Sequence, residues 1–286
     1  MKVAAVDIGT NSMRLLVVHR IEDGLAELGR YERVTGLGRG VDATGELSEE
    51  AMDRTLLALS EFGGRMRDMG VERRRAVATS ASRDASNREM FFDRAELALG
   101  VRPEMISGDE EAALAFAGAS SRTGEPSPHL VIDIGGGSTE FVTVDGGRSF
   151  DVGSVRLTDR VLTTRPAPPE QIGAARALVA EMFLPVIPFV GSVIGVAGTW
   201  TSLARIHHGD SNLVRLSLAD VTGLVERLSG LTEEQTAALP GLDPARAPVI
   251  LAGAVIAEGA ATAAGAGTVV VSEHDLLDGV VGALLR

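Results

Sequence analysis

An aspartate, a glycine-bearing turn carrying serine or threonine, and an apolar run on either side occur twice in this chain. The copies are AAVDIGTNSMRLLVV over residues 4–18 and LVIDIGGGSTEFVTV over residues 130–144. These residue types suit an anion. Gly9 in the first copy, and Gly135, Gly136 and Gly137 in the second, carry no Cβ, so backbone N–H groups can approach a phosphate closely. Asp7 and Asp133 stand just before the turns, where a carboxylate could meet a hydrated Mg²⁺. The elements that position them must be strand pairs, because each turn is flanked by apolar runs of strand length, and the turn becomes a hairpin tip. Two such tips, one in each half, predict one anionic ligand clamped between two related domains.

Composition narrows the chemistry. The chain has no cysteine, which excludes disulfides, a thiolate nucleophile and thiolate-bound zinc. Lys2 is the only lysine, so a P-loop lysine or Schiff base is excluded and arginine is left as the strong side-chain cation for phosphate. A net charge of −12 argues against broad nucleic-acid binding. The arginine groups at Arg73, Arg74, Arg75, Arg83 and Arg88, and at Arg156, Arg160 and Arg165, read singly as solvated faces. His207 and His208 are adjacent and cannot face one metal from a regular element; a loop is expected for both. Residues 1–20 open directly into strand without a leader-like segment, and no apolar stretch is long enough to span a bilayer. A cytoplasmic protein without membrane association is the expectation.

The 286 residues suffice for two domains, and strands alternating with helices after each hairpin predict α/β layers in both. A helix opened by Ser48 carries Met52, Leu56, Leu59, Phe62 and Met66 at helical spacing. Strands are expected over residues 101–107, 150–152, 193–197 and 268–272, and helices over about 87–99, 248–264 and about 276–285. The last-but-one of these, rich in alanine and glycine, suits packing against another helix inside the chain or in a second copy. The stretch 121–128, with Gly124, Pro126 and Pro128, reads as a linker, dividing the chain into domains 1–124 and 125–286. Five polar turns fall where strands end, around Asp7–Arg14, Thr79–Arg83, Ser107–Glu111, Asp133–Glu140 and Gly198–Ser202, and can converge on one cleft.

The strings DIGTNSMRL, ATSASRDASN, ISGDEEAALAF, VIDIGGGSTEF, GSVRLT, GVAGTWTSLA and SEHDLLDGVV resemble, in order, the exopolyphosphatase and guanosine pentaphosphate phosphohydrolase family. The resemblance implies two actin-like (ribonuclease H-like) α/β domains with an interdomain cleft, and a homodimer. It implies Mg²⁺-dependent removal of terminal phosphate from a phosphoanhydride chain, with polyphosphate or a phosphorylated guanosine nucleotide as substrate. On the family's motif Glu111 acts on the attacking water, with Glu110 as its rival, while Asp133 and Glu140 position water and metal; Asp7, Asp133 and Glu140 become the metal ligands. The phosphate contacts expected are Asn11, Ser12, Arg14, Arg83, Gly136, Gly137, Ser138, Thr139, Gly198 and Thr199. Longer members carry an extra helical domain after these two, absent from this sequence, so short chains or nucleotides gain ground as substrates. A non-hydrolytic sensor closing on the same ligands is the alternative from another class.

Overall fold

The computed structural model describes residues 1–22, 24–120, 123–209 and 214–286. The first half is built on β1 (Lys2–Ile8), β2 (Ser12–Ile21), β3 (Gly24–Val34), β4 (Arg73–Ala78) and β5 (Glu104–Met105), in the order β3-β2-β1-β4-β5. β1 is apolar along almost its whole length because it runs between β2, antiparallel, and β4, parallel, and is covered on both faces. Its helices are α1 (Val41–Thr44), α2 (Glu49–Asp68), α3 (Ser80–Asp84), α4 (Arg88–Leu99) and α5 (Gly108–Ser120). Ser48 caps α2 through the Ala51 N–H at 3.3 Å, and Met52, Leu59, Phe62 and Met66 are fully buried.

The second half repeats the plan. β6 (His129–Ile134), β7 (Thr139–Thr143) and β8 (Gly146–Phe150) form the meander, followed by α6 (Ser154–Arg160) and α7 (Pro169–Met182). Next come β9 (Ser192–Val196), α8 (Ala197–His208), β10 (Val214–Ser217), α9 (Leu218–Ser229) and α10 (Glu233–Ala237). A 3₁₀ turn at Pro244–Arg246 leads to α11 (Ile250–Ala263), β11 (Thr268–Val271) and α12 (Leu276–Leu285). The sheet order is β10-β11-β9-β6-β7-β8. The two hairpins match residue for residue: Asp7 pairs with Arg14 and Asp133 with Glu140. The architecture is the expected α/β one.

The linker expectation spans 121–128, of which Ser121 and Arg122 lie outside the described residues; α5 ends before it and β6 begins at its end. By packing, however, a cut at 124/125 does not separate the halves. α12 lays Leu276, Leu277, Val280 and Val281 on Val3, Ala5, Leu16, Val18 and Val77 of the first sheet. α5 in turn puts Phe116 and Ala119 on Val131, Ile194 and Val196 of the second. The two helices cross where a Cβ on Gly118 would lie 1.9 Å from the Asp275 carbonyl and one on Gly279 would lie 2.0 Å from that of Leu114. Only glycine permits so close a crossing.

Several local expectations are corrected. Residues 101–107 yield only the two-residue edge strand β5, since Pro103 offers no N–H to a ladder. The strand expected at 150–152 is instead Gly146–Phe150, because a two-residue turn after Thr143 starts the pairing at once. His207 and His208 lie in the last turn of α8 rather than a loop, since the helix runs until Gly209 adopts φ 79° and stops it. α11 packs within the chain, against α6, α7, α8 and α9. Among the described residues no helix is long and apolar enough to cross a membrane.

Candidate active site

Both hairpin tips close in one way: Gly9 N–H donates to Ser12 O at 3.1 Å and Gly135 N–H to Ser138 O at 3.0 Å. The carbonyls beyond are then drawn outward by neighbouring elements. Thr10 O accepts from Gly38 N–H at 2.8 Å, and Asn11 O from Thr35 and Gly36 N–H at 3.0 and 2.9 Å. In the second tip Gly135 O accepts from Ser154 N–H at 3.0 Å, and Gly136 O from Val155 and Arg156 N–H at 2.8 and 3.2 Å. A trans peptide carries C=O and N–H on opposite sides, so the N–H groups of Asn11, Ser12, Gly136 and Gly137 turn the other way. That is an amide cradle for an anion.

Residues from all five polar turns line one cavity of about 50 Å³, room for roughly three to five waters. The tips touch at its mouth: a Cβ on Gly136 would lie 2.9 Å from Thr10 Cβ, and one on Gly137 would lie 2.4 Å from Ser80 Oγ. α8 contributes an N-terminus without a side-chain cap, and Ala197, Gly198 and Thr199 of its first turn line the cavity. The unsatisfied first-turn N–H groups add positive potential there. Ala197 holds φ 69°, left-handed for a residue with a Cβ, which lets the helix begin directly at the strand end. Both polar atoms of the Asn11 side chain are buried without a protein partner.

Charge in the cavity is dominated by acids. Arg14 donates to Asp7 Oδ2 from Nε at 3.0 Å and from Nη2 at 2.6 Å, and its third nitrogen is bound by Asp275. Burial raises the Asp7 carboxyl although Arg14 opposes it. Asp133 is pushed up to about 8 by burial, against Arg14 and with Asp275, Glu111 and Asp7 adding to the rise. Glu140 is raised well above the usual range by burial and then by Glu111 and Asp133. Glu111 is raised by burial, with Arg83 opposing through a 2.7 Å bond. The cavity therefore holds more carboxylate than its fixed cations neutralise. One further cation was not foreseen: Arg246, buried on the 3₁₀ turn, lies directly over Gly198 and is bound by Glu32.

Of the residues expected from sequence, Asp7, Asn11, Ser12, Arg14, Glu111, Asp133, Gly136, Gly137, Ser138, Gly198 and Thr199 line the cavity. Arg83, Thr139 and Glu140 do not. Arg83 stands behind Glu111 and also donates to Ile106 O at 3.1 Å. Thr139, fully buried, donates to Val152 O at 2.6 Å. Glu140 accepts from Ser149 Oγ at 2.7 Å. Glu110 points elsewhere, to Arg75 at 2.8 Å. Asp7, Asp133 and Glu140 do not assemble as a metal triad: among the described residues no three His, Cys, Asp or Glu side chains form a group able to hold one ion. Mg²⁺ commonly needs only one or two carboxylates, with water and phosphate completing its shell. Asp7 Oδ1, buried without a partner, and Asp133, raised by burial and further by neighbouring acids, fit that demand.

Fold and cavity together define a two-lobed α/β protein with an amide-lined cavity between the lobes. A model of the Ppx/GppA phosphatase family matches residues 17–286. The chain is 40% identical to exopolyphosphatase 2 of Mycobacterium tuberculosis, covering 98% of this chain and 97% of that protein. Among solved structures, an exopolyphosphatase-like protein is 37% identical with a TM-score of 0.91 over all of both chains. An exopolyphosphatase from Cytophaga hutchinsonii is 27% identical with a TM-score of 0.91, covering 100% of this chain and 98% of that one. The Aquifex aeolicus family member is 27% identical with a TM-score of 0.82, covering 100% and 97%. The chain belongs to the Ppx/GppA phosphatase family.

Proposed function

We propose that this protein is an exopolyphosphatase that hydrolyses the terminal phosphoanhydride bond of inorganic polyphosphate and releases orthophosphate. The observation that carries the reading is the pair of touching tips, whose amides turn toward a cavity of about 50 Å³ with Glu111 in its wall. Such a space admits a terminal phosphoryl group and its attacking water, as removal of phosphate from a chain end requires. Asn11, Ser12, Gly136, Gly137 and the first turn of α8 hold the phosphoryl oxygens, and Arg246 adds a cation beside Gly198. Glu111 takes a proton from the attacking water; the water oxygen bonds to phosphorus as the bridging P–O bond breaks, and the shortened chain leaves. Burial beside Arg83 keeps this carboxylate partly desolvated and oriented.

Asp7 and Asp133 would hold Mg²⁺, which when bound neutralises phosphate charge and polarises the bond being broken. Arg14 fixes Asp7, and burial makes the charged forms of Asp133 and Glu140 costly unless a cation is near. A homodimer, implied by the family resemblance, in the cytoplasm completes the reading. Hydrolysis of guanosine pentaphosphate is the second reading, favoured by a recess of about 320 Å³ beyond Arg14 and Gly198, lined by Tyr31, Thr201 and Arg205 among others. Orthophosphate release from polyphosphate and from guanosine pentaphosphate, with wild type and Glu111→Gln, tests both. Glu111→Gln is expected to lower kcat by about 10²–10⁴ while phosphate binding persists. Absence of release from polyphosphate of every length overturns the first reading, and unchanged turnover in the variant overturns the role of Glu111.

A further inference from the structure

We infer that Arg156 is a positioning residue that makes the phosphate cradle of the second half depend on its union with the first. This rests on the phosphate-binding reading of the cavity given above. Arg156 does not line that cavity. Its Nε donates to Gly137 O at 2.9 Å, and its backbone N–H, with those of Ser154 and Val155, holds the carbonyls of Gly135 and Gly136. Three consecutive carbonyls of the turn are thus fixed by one short element, α6, and the side chain of Arg156 holds the third. By peptide planarity, fixing Gly137 O also sets the direction of the Ser138 N–H, which follows the two cradle amides of Gly136 and Gly137 in a residue that lines the cavity.

The other end of the guanidinium reaches across to the first half. Its Nη1 donates to Asp42 Oδ1 at 2.7 Å, and its Nη2 contacts Asp84 and lies 3.4 Å from Ser80 Oγ. Asp42, on α1, is also bound by Arg160, and Gly40 N–H donates to Asp159 Oδ2 at 3.1 Å. With a side-chain exposure of 12% for Arg156 and 21% for Asp42, that pair is sheltered from solvent and exceeds the worth of an exposed ion pair, while Asp84 is more open at 39%. A guanidinium spreads its donors over three nitrogens in a planar fork and so reaches a carbonyl and two carboxylates set apart from one another; an ammonium offers its three donors from a single nitrogen and does not span them. Asp42 and Asp84 set the angle of the fork, and the fork sets the Gly137 peptide. When the halves part, the acids leave and the turn loses that restraint. Domain union and anion binding are coupled through one side chain.

A double-mutant cycle tests this. Among the described residues Asp84 makes one ion pair, with Arg156; because it lies near the turn and also acts on Arg160, the cycle rather than the single variant isolates what passes through Arg156. The expected result is a rise of roughly tenfold in KM for polyphosphate and in Kd for inorganic phosphate by calorimetry, with kcat less affected. In an Arg156→Gln background, Asp84→Asn then adds little, and Arg156→Lys behaves like Arg156→Gln. Equal effects of Asp84→Asn in both backgrounds, or rescue by Arg156→Lys, overturn the inference, as does a phosphate Kd that stays at the wild-type value in Asp84→Asn. Wild-type protein that binds phosphate tightly but leaves polyphosphate intact refutes the proposed reaction and leaves the positioning role standing or falling on the phosphate Kd values alone. Should Arg156→Gln fail to fold, Asp84→Asn and Arg156→Lys still decide through their Kd values.

Discussion

Gly136→Ala separates space from backbone conformation as the reason for glycine at the second tip. None of Gly135, Gly136 and Gly137 adopts the left-handed backbone that favours glycine, so alanine at any of them is conformationally acceptable. A Cβ on Gly136 would nevertheless sit 2.9 Å from Thr10 Cβ and 3.0 Å from the Asn11 nitrogen, across the cleft. Carbon atoms settle at about 3.5–4.0 Å, so the tips must part by roughly 0.6–1 Å. An amide seated at about 2.9 Å from a phosphate oxygen then lies beyond hydrogen-bond range. Loss of one preorganised donor lowers kcat by about 10²–10³. The assay is orthophosphate release from polyphosphate, with thermal melting in parallel. Gly135→Ala is the control: its Cβ would lie 3.3 Å from Ser138 O within its own hairpin, so activity stays near wild type. Gly136→Ala with wild-type kcat, or equal damage by both substitutions, refutes the reasoning.

Two further predictions concern stability. Asp133 titrates near 8 in the folded protein against an ordinary 3.8, so the native state keeps a proton that the unfolded chain releases. Stability of the ligand-free protein is therefore full below about pH 4 with respect to this group and falls as pH rises toward 8, with a limiting slope of about 1.4 kcal/mol per pH unit per proton. Asp133→Asn should flatten that decline in melting temperature against pH; parallel curves would refute it. At the helix crossing, Gly118→Ala drives a Cβ into the Asp275 carbonyl, whereas Gly282→Ala on α12 meets nothing within 4 Å. The first should lose about 1–3 kcal/mol or more and the second should be neutral or gain up to about 1 kcal/mol, read by chemical denaturation; the reverse order would discredit the crossing.

The parts of the molecule readable from sequence were those in which chemistry and local structure share the same few residues. Each hairpin shows itself because Asp, glycine and hydroxyl sit between apolar runs of strand length, and α2 because Ser48 and its two following acids sit where a helix needs a cap. Arg246 was not readable. It comes from a 3₁₀ turn in a stretch without strand or helix periodicity, and it reaches the cavity only because α11 and α8 are packed side by side. Asp275 likewise binds an arginine 261 positions away, a relation no local pattern encodes. Arg83 and Glu140 lie just beyond strand ends, on α3 and β7, yet their side chains meet Glu111 and Ser149 rather than the cavity, a choice made by packing. The His207–His208 pair was misplaced because the helix-stopping glycine follows it rather than precedes it.

The exchange of α5 and α12 between the two sheets has a consequence for biosynthesis. β1 is among the earliest strands to leave the ribosome, but Val3 and Ala5 are covered by Leu276, Leu277, Val280 and Val281. At about 5–20 residues per second, the interval between the two segments is on the order of tens of seconds. Throughout it that face of the first sheet is covered only in part, by Ile106 and Leu114, while the sheet of the second half is assembled against α5. The nascent chain thus carries an incompletely covered first lobe until α12 arrives, so completion of that lobe waits on synthesis of the second.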